Sequence, residues 1–304
     1  MKRVVALLML FAVSAMLFAC GASALPETGQ SQVSTVASAM PETPKADLAT
    51  PYADIDFFGG EIKDNKGVVS LEIKNGGVAE NAYIATVPMN FMGKQKKLPV
   101  LCIKKSGSWV KGVFSEFENN TEFDAFVADN GGFSIEVFYL DKSTTNANRG
   151  IVCSTESIGG DNKRSGWGIA ENASGAPYFI TGHSAENAYS SVYASSLPDE
   201  EPIHVVGVYN AATRRNAIYV NGSLVSLDSA AGAFTSADKT DVYEGFNMAN
   251  VFYIGADPSG LSGKAERCDF PTNDLVVIDV KFYACALTEG EVKAAFAESA
   301  SVFE

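Results

Sequence analysis

Histidine and cysteine are scarce: two histidines, His183 and His204, and five cysteines stand in 304 residues. Zinc sites and two-metal hydrolase centres draw most of their ligands from residues of these kinds, so chemistry of that sort has too few donors here. Tryptophan is equally rare, with Trp109 and Trp167 alone. Basic residues are outnumbered, 23 Lys and Arg against 36 Asp and Glu, for a formal net charge of -13. A chain of that sign has no basic footprint for phosphate backbones, which argues against nucleic acid as a partner. No G-x-S-x-G elbow and no Walker loop occurs, so two common signatures of nucleophilic and nucleotide chemistry are missing. What is there is a chain with 46% hydrophobic and only 19% charged residues, a balance that fits a folded protein rich in half-buried strands.

The first twenty residues read as an address. Met1, Lys2 and Arg3 precede an apolar run from Val4 to Ala19 that only Ser14 interrupts, a pattern of export rather than of a permanent spanning helix. Leu17-Phe18-Ala19-Cys20-Gly21 resembles the bacterial lipobox, in which a small residue precedes a cysteine that is lipidated before cleavage. That resemblance makes residues 1–20 a lipoprotein signal peptide with Cys20 as the lipidation site. It implies an exported, membrane-anchored lipoprotein facing outside the cytoplasm. An ordinary signal cut after Ala22-Ser23-Ala24 is the competing reading and would release a soluble protein. More than one acyl chain gives a stable anchor, since each buried methylene contributes about 0.8 kcal/mol. Residues 21–51 hold no aromatic side chain and only Glu27, Glu42, Lys45 and Asp47 as charges. Such a stretch buries too little apolar surface to offset its ordering entropy, so a disordered tether is expected. Residues 52–304 then form one domain.

From Tyr52 onward the pattern is that of strands. Runs with period-two alternation or β-branched and aromatic content recur at Val68–Ile73, Leu98–Lys104, Phe133–Leu140, Gly150–Cys153, His204–Tyr209, Ala217–Val220, Val251–Ile254 and Val276–Tyr283. Turn residues separate them, among them Asn75-Gly76-Gly77, Gly159-Gly160-Asp161 and Asn221-Gly222. An Asn-Gly pair supplies both positive-φ residues of a type I′ hairpin turn. Regular short strands without intervening helices predict an all-β sandwich. Only the C-terminus departs from this: Thr288 and Glu291 are spaced as a capping box and Leu287 and Val292 as a hydrophobic staple, predicting a short helix over Glu289–Ala297.

Three segments carry a family resemblance. Phe133-Ser134-Ile135-Glu136-Val137-Phe138-Tyr139 is similar to the early inner-sheet strand of laminin G-like, concanavalin A-like jelly rolls. Pro202-Ile203-His204-Val205-Val206-Gly207-Val208-Tyr209 with Ala217-Ile218-Tyr219-Val220-Asn221-Gly222 resembles their most distinctive hairpin. Val277-Ile278-Asp279-Val280-Lys281-Phe282-Tyr283, followed by Ala286-Leu287-Thr288, resembles their last long strand. The likeness covers Phe133 to Phe296. Ile203 stands where the family usually has tryptophan, which alters an inner packing contact and not the fold. The resemblance implies a two-sheet jelly-roll sandwich with a short C-terminal helix that binds carbohydrate or protein, often with a calcium ion. In many such sandwiches the aspartate of the last long strand helps hold structural calcium against the opening strand. That position is Asp279, with Asp54, Asp56 or Glu61 as partners, and calcium needs several such oxygens at once. Asp279 reads equally as a strand aspartate paired with a backbone amide or with Lys281.

Sugar recognition uses exposed aromatic faces beside hydrogen-bonding side chains. Trp109, Trp167, Tyr189 and Tyr193 lie in segments rich in Gly, Ser and Asn and are the candidate ligand-binding residues of the rim, with 178–193 the best stretch. Each also reads as ordinary packing. His204 is expected to be a structural histidine and His183 a loop residue. Glycosidase chemistry needs two positioned carboxylates, and the Glu-x-Asp-x-x-Glu pattern of the laminarinase-like relatives is absent. Glu116, Glu118 and Glu136 are therefore expected to be ordinary strand carboxylates. With Cys20 set aside, Cys102, Cys153, Cys268 and Cys285 allow three pairings, or stay reduced as small buried hydrophobes. The reading that follows is a non-catalytic surface recognition module, lipid-anchored, whose partner is a glycan or a surface protein. The alternatives are a divergent glycoside hydrolase or lyase on the same sandwich, or a structural envelope lipoprotein.

Overall fold

The computed structural model describes residues 48–304 apart from 106, 119, 144–146, 155, 159–162, 183–188, 196–200, 229–233, 235–250 and 258–273. The signal segment, Cys20, residues 21–47, His183 and Cys268 lie outside the described residues.

In chain order the strands begin with β1 (Ala53–Asp56), β2 (Lys63–Asp64), β3 (Val69–Lys74), β4 (Ala82–Phe91), β5 (Lys94–Ile103) and β6 (Trp109–Phe114). Helix α1 (Asn120–Asp129) leads into β7 (Gly132–Asp141), β8 (Arg149–Cys153), β9 (Glu156–Ile158), β10 (Lys163–Ser165), β11 (Trp167–Glu171) and β12 (Pro177–Gly182). There follow β13 (Tyr189–Tyr193), β14 (Ile203–Asn210), β15 (Arg215–Val220), β16 (Ser223–Leu227), β17 (Val251–Ile254), β18 (Leu275–Tyr283) and helix α2 (Glu289–Ser301).

Two large antiparallel sheets result, and β9 pairs with β10 in a separate two-stranded ribbon. The first runs β16-β15-β14-β7-β18-β1-β2, with the β4–β5 hairpin joined through β5 to β18. The second runs β13-β12-β11-β8-β17-β6-β3. Alternation sets which side chains meet between them: Ile55, Ile135, Val137, Tyr139, Val205, Val280 and Phe282 from the first sheet pack against Val110, Phe114, Ile169, Phe179, Phe252 and Ile254 from the second. Fully burying each such side chain contributes about 1.5–3 kcal/mol, which makes this inter-sheet layer the main source of cohesion. Gly207 belongs to it for a steric reason. A Cβ there would collide with the ring of Phe179, so the missing side chain lets that ring lie against β14.

β7 and β18 are buried on both faces because α2 covers the side of the first sheet that faces away from the second. Val292 joins Leu287, Val206, Val208, Tyr219 and Tyr283 in one apolar cluster, and Phe303 joins Phe138, Ile278 and Phe91 in another. The capping box forms as the sequence predicts: Glu291 N–H donates to Thr288 Oγ1 at 3.3 Å and Thr288 N–H to Glu291 Oε2 at 2.7 Å. The helix runs four residues beyond its predicted end, to Ser301. Asn221 and Gly222 have φ of 48° and 75° between paired β15 and β16, the hairpin turn their sequence calls for.

Helix α1 departs from the expectation that only the C-terminus is helical. Phe123, Phe126 and Val127 fall on one side of it, and Phe123 and Val127 are buried. The helix lays these against Tyr52, Phe114, Phe117 and Phe133, closing one end of the inter-sheet core. Glu116, expected on a strand, lies beyond the end of β6 and accepts a 2.6 Å hydrogen bond from the Tyr52 hydroxyl.

Candidate functional site

The register of the second sheet assigns every side chain to a face. Val69, Leu71 and Ile73 point inward with Phe114, Gly112 and Val110, so their neighbours Lys74 and Trp109 share the outward face. Tyr253 follows on β17, opposite Lys111 and Cys153, and its ring meets Trp109 edge-on at 6.4 Å. Further along the same face come Ala170, Tyr178 and Tyr193, in register across β11, β12 and β13. Tyr178 and Tyr193 lie ring to ring at 5.1 Å. Tyr189 completes the series on β13, the edge strand.

Of these, Tyr189 and Tyr193 are open to solvent, 42% and 49% exposed. The strand that carries them is braced from behind. Asn216 of β15 donates through Nδ2 to Thr181 Oγ1 at 2.8 Å and to the Ser190 carbonyl at 3.1 Å. Asp228 accepts from the Asn216 amide at 3.0 Å and from the Ser190 hydroxyl. The exposed Leu224, Val225 and Leu227 lie on β16, the edge of the first sheet, which neighbours β13. The two sheet edges run side by side, but only β13 presents aromatic rings: Tyr189 and Tyr193 share its outward face with Ser191, whose hydroxyl donates to Tyr193 Oη at 3.2 Å, whereas Leu224 and Leu227, opposite Tyr219 and Ala217, belong to the α2 side of the first sheet. Rings stack on apolar sugar faces or on a partner's side chains, and hydroxyls fix orientation.

The four aromatics expected at the rim separate. Tyr189 and Tyr193 are there, on a strand rather than a loop. Trp109 is half-buried on the outward face of β6. Trp167 is not at the surface: it is 1% exposed and packs between the sheets against Phe133, Phe252 and Phe282. The reason is parity, since Trp167 alternates in phase with inward-facing Ile169 opposite Phe179.

Asp56 and Asp279 are register partners on β1 and β18, as the calcium expectation requires, but their carboxylates go to other groups. Asp56 accepts from Asn65 Nδ2 at 2.6 Å and from the Phe58 amide at 3.1 Å. Asp54 shares the same Asn65 amide at 3.3 Å. Asp279 Oδ2 takes the Ser299 hydroxyl at 3.3 Å and faces Lys281 Nζ at 3.9 Å, while Oδ1 has no hydrogen-bond partner among the described residues. Calcium wants six to eight oxygens. Among the described residues no three acidic, histidine or cysteine side chains gather in a way that could hold a metal, and an ammonium group already faces Asp279. The residues present there do not fit calcium.

Buried ionic groups extend well beyond the Asp279–Lys281 pairing that the sequence allows. Glu136 is fully buried on the side of β7 covered by α2. Its Oε1 lies 3.0 Å from His204 Nε2 and 3.2 Å from Lys281 Nζ and accepts the Ser299 hydroxyl at 2.6 Å, while Oε2 accepts the Tyr283 hydroxyl at 2.6 Å. Burial works to raise its pKa, but the facing His204, Lys281 and Ser299 outweigh that and hold the carboxyl below its usual range. Burial raises Asp279 to about 6 against the pull of Lys281. A second cluster closes the far end of the sandwich core: Arg149 lies 2.7 Å from Asp141 and 2.6 Å from Glu171, and Glu171 accepts the Tyr139 hydroxyl at 2.9 Å. Burial, with Asp141 adding its charge, raises Glu171 to about 7. Nothing in the sequence singles out Asp64. Its two oxygens accept the amides of Asp54, Lys66, Val68 and Val69 at 2.7–3.1 Å, which ties β1 to the start of β3. Among the described residues Cys102, Cys153 and Cys285 are not joined in disulfides, and the Cys153 thiol donates to the Ile169 carbonyl at 3.3 Å.

Comparison with known proteins agrees with this architecture. No curated protein sequence matches the chain. Among solved structures it is similar to the binding domain of botulinum neurotoxin DC in complex with SialylT, at 14% identity and a TM-score of 0.52, over 82% of this chain and 51% of that one. The same toxin domain in complex with rat synaptotagmin II gives 14% identity and a TM-score of 0.51, again over 82% and 51%. The binding domain of botulinum neurotoxin serotype D gives 13% and 0.51, over 82% and 52%. The chain spans about half the length of these structures, and at such identity the likeness is one of fold. Residues 118–293 match the laminin G-like model of the concanavalin A-like lectin/glucanases superfamily. By that match, which the two-sheet sandwich bears out, the chain belongs to the concanavalin A-like lectin/glucanases superfamily.

Proposed function

We propose that this chain is a recognition module that binds a glycan or a protein at the outward face of the edge strand β13, and that it is exported and held at a membrane through lipid on Cys20. The observation that carries the reading is the pair Tyr189 and Tyr193, exposed on one face of an edge strand that Asn216 and Asp228 brace from behind. Exposed aromatic rings on a braced strand bind with little loss of conformational freedom. The solved structures of similar fold that bear SialylT and synaptotagmin II in their names support both partner classes. The buried carboxylates weigh against glycoside cleavage by this chain: Glu136 is sealed beneath α2, and Glu171 is closed off by Arg149 and Tyr139. Cleavage needs a carboxyl pair that a substrate can reach.

The test is retention of the full chain on arrays of glycans and of surface proteins, with reducing sugar assayed on every glycan that binds. Retention without sugar release, weakened by Tyr193→Ala, is the expected result. Release of sugar, or retention unaffected by changes at both Tyr189 and Tyr193, overturns it. Metabolic labelling with a fatty acid, lost in Cys20→Ser, tests the anchor.

A further inference from the structure

We propose that Lys281 is the built-in cation of this sandwich: its ammonium group fills an oxygen cage beneath α2 and does the work of a structural metal ion, joining the last long strand to the terminal helix. Four oxygens surround Lys281 Nζ, Ser299 Oγ at 3.1 Å, Glu136 Oε1 at 3.2 Å, Glu298 Oε2 at 3.5 Å and Asp279 Oδ2 at 3.9 Å. They come from β7, β18 and α2, elements brought together only by the completed fold. Oxygen donors of this kind also serve hard cations, but among the described residues these do not gather in a way that could hold a metal; what they enclose is an ammonium group. Ser299 and Glu136 lie at hydrogen-bond distance from the ammonium group and Glu298 and Asp279 at ion-pair distance, all longer than metal bonds, and the centre is covalently part of the chain.

The surroundings fit this role and no other cation. The Lys281 side chain is 9% exposed, so little room remains for a hydrated ion. The carboxylates on the adjoining strand, Asp54 and Asp56, are turned to the amide of Asn65 and contribute nothing to the cage. Position along β18 explains why a lysine can do this: Asp279 and Lys281 are two residues apart and share the face covered by α2, and a four-carbon stem carries the charge to Glu298 and Ser299 on the helix. A charge delivered by the chain cannot dissociate, so this tie between β18 and α2 needs no metal ion from the medium.

Two measurements decide the matter. Thermal unfolding of the unmodified full chain is followed in calcium chloride and in EDTA. The proposal expects one midpoint in both media. A midpoint raised by calcium, with the rise lost in Asp279→Asn, overturns it. Hydrogen exchange of residues 289–301 is then compared with Lys281→Met, which keeps the stem and removes the charge. The α2 amides of the variant are expected to exchange at least about tenfold faster at a temperature where the β7 amides remain protected. Unchanged protection of α2 overturns the proposal, because the helix would then be held by its apolar contacts alone.

Discussion

Glu136 Oε1 stands 3.0 Å from Nε2 of His204, with both side chains fully buried in adjacent strands of the first sheet. That contact decides what the most conspicuous acid in the sheet is for. A carboxylate enclosed by an imidazole, an ammonium and two hydroxyls holds structure together. Replacing it by Glu136→Gln keeps the volume and deletes the charge, leaving Lys281 and His204 facing a neutral amide. Loss of one partner of a buried pair costs about 3–5 kcal/mol, read as a lower midpoint in urea. Ligand retention, assayed where the variant is still folded, is expected to be unchanged.

Acidification should stabilise the protein. Glu171 and Asp279 are raised by burial to about 7 and about 6. The folded chain therefore keeps protons that the unfolded chain has already released, and stability falls as pH rises through these values. The unfolding midpoint is expected to be higher at about pH 5.5 than at about pH 8, by the equivalent of roughly 1–3 kcal/mol. Glu171→Gln removes one of the two groups and should flatten the profile; an unaltered slope in that variant would show that the proton is taken up elsewhere.

The two kinds of aromatic are separable by mutation. Tyr193→Ala removes an exposed ring, so stability is expected to change by no more than about 0.5 kcal/mol, while lost stacking of about 1 kcal/mol weakens ligand retention about fivefold. Trp167→Ala opens a hole between the sheets and should cost about 3–5 kcal/mol, with any effect on binding following from unfolding. Circular dichroism melts alongside the retention assay distinguish the two.

The terminal helix depends on its first turn. Thr288→Ala deletes the side-chain acceptor of the Glu291 amide and is expected to lower stability by about 1 kcal/mol. A larger drop would mean that the cap also sets the angle at which Leu287 and Val292 enter the sheet.

Local signals were legible in the sequence and long-range ones were not. Asn221-Gly222 and the Thr288/Glu291 box each involve neighbours within a few residues, and both form as read. No local signal marks helix α1, because Phe123, Phe126 and Val127 sit among Asn, Thr and Asp residues that resemble a turn, and the pressure to be helical comes from Tyr52, Phe114 and Phe133 across the core. Gly166 and Ser165 give Trp167 the look of a loop residue, whereas its facing is decided by the register of β11 on β12, in which it lies opposite Thr181. The cage around Lys281 joins positions on three elements, and no spacing within any one of them announces it. His204, by contrast, was expected to be structural and is enclosed by Glu136, Phe138 and Phe296.

Asp56 on β1 lies opposite Asp279 on β18, and that pairing bears on what the folding unit is. Contacts so distant along the chain carry a large loop-closure cost and slow the search for the native state. Until β1 and β5 reach β18, and β6 reaches β17, each sheet keeps a bare edge capable of pairing with a neighbouring molecule. The span matched by the family, 118–293, contains β17 and β18 but omits the strands that cover these edges. Sequence kinship and cooperativity therefore draw different borders on this protein. A fragment cut along the first would expose tacky strands, and only the longer one, reaching back to β1, has the completed sheets from which a single sharp unfolding transition can arise.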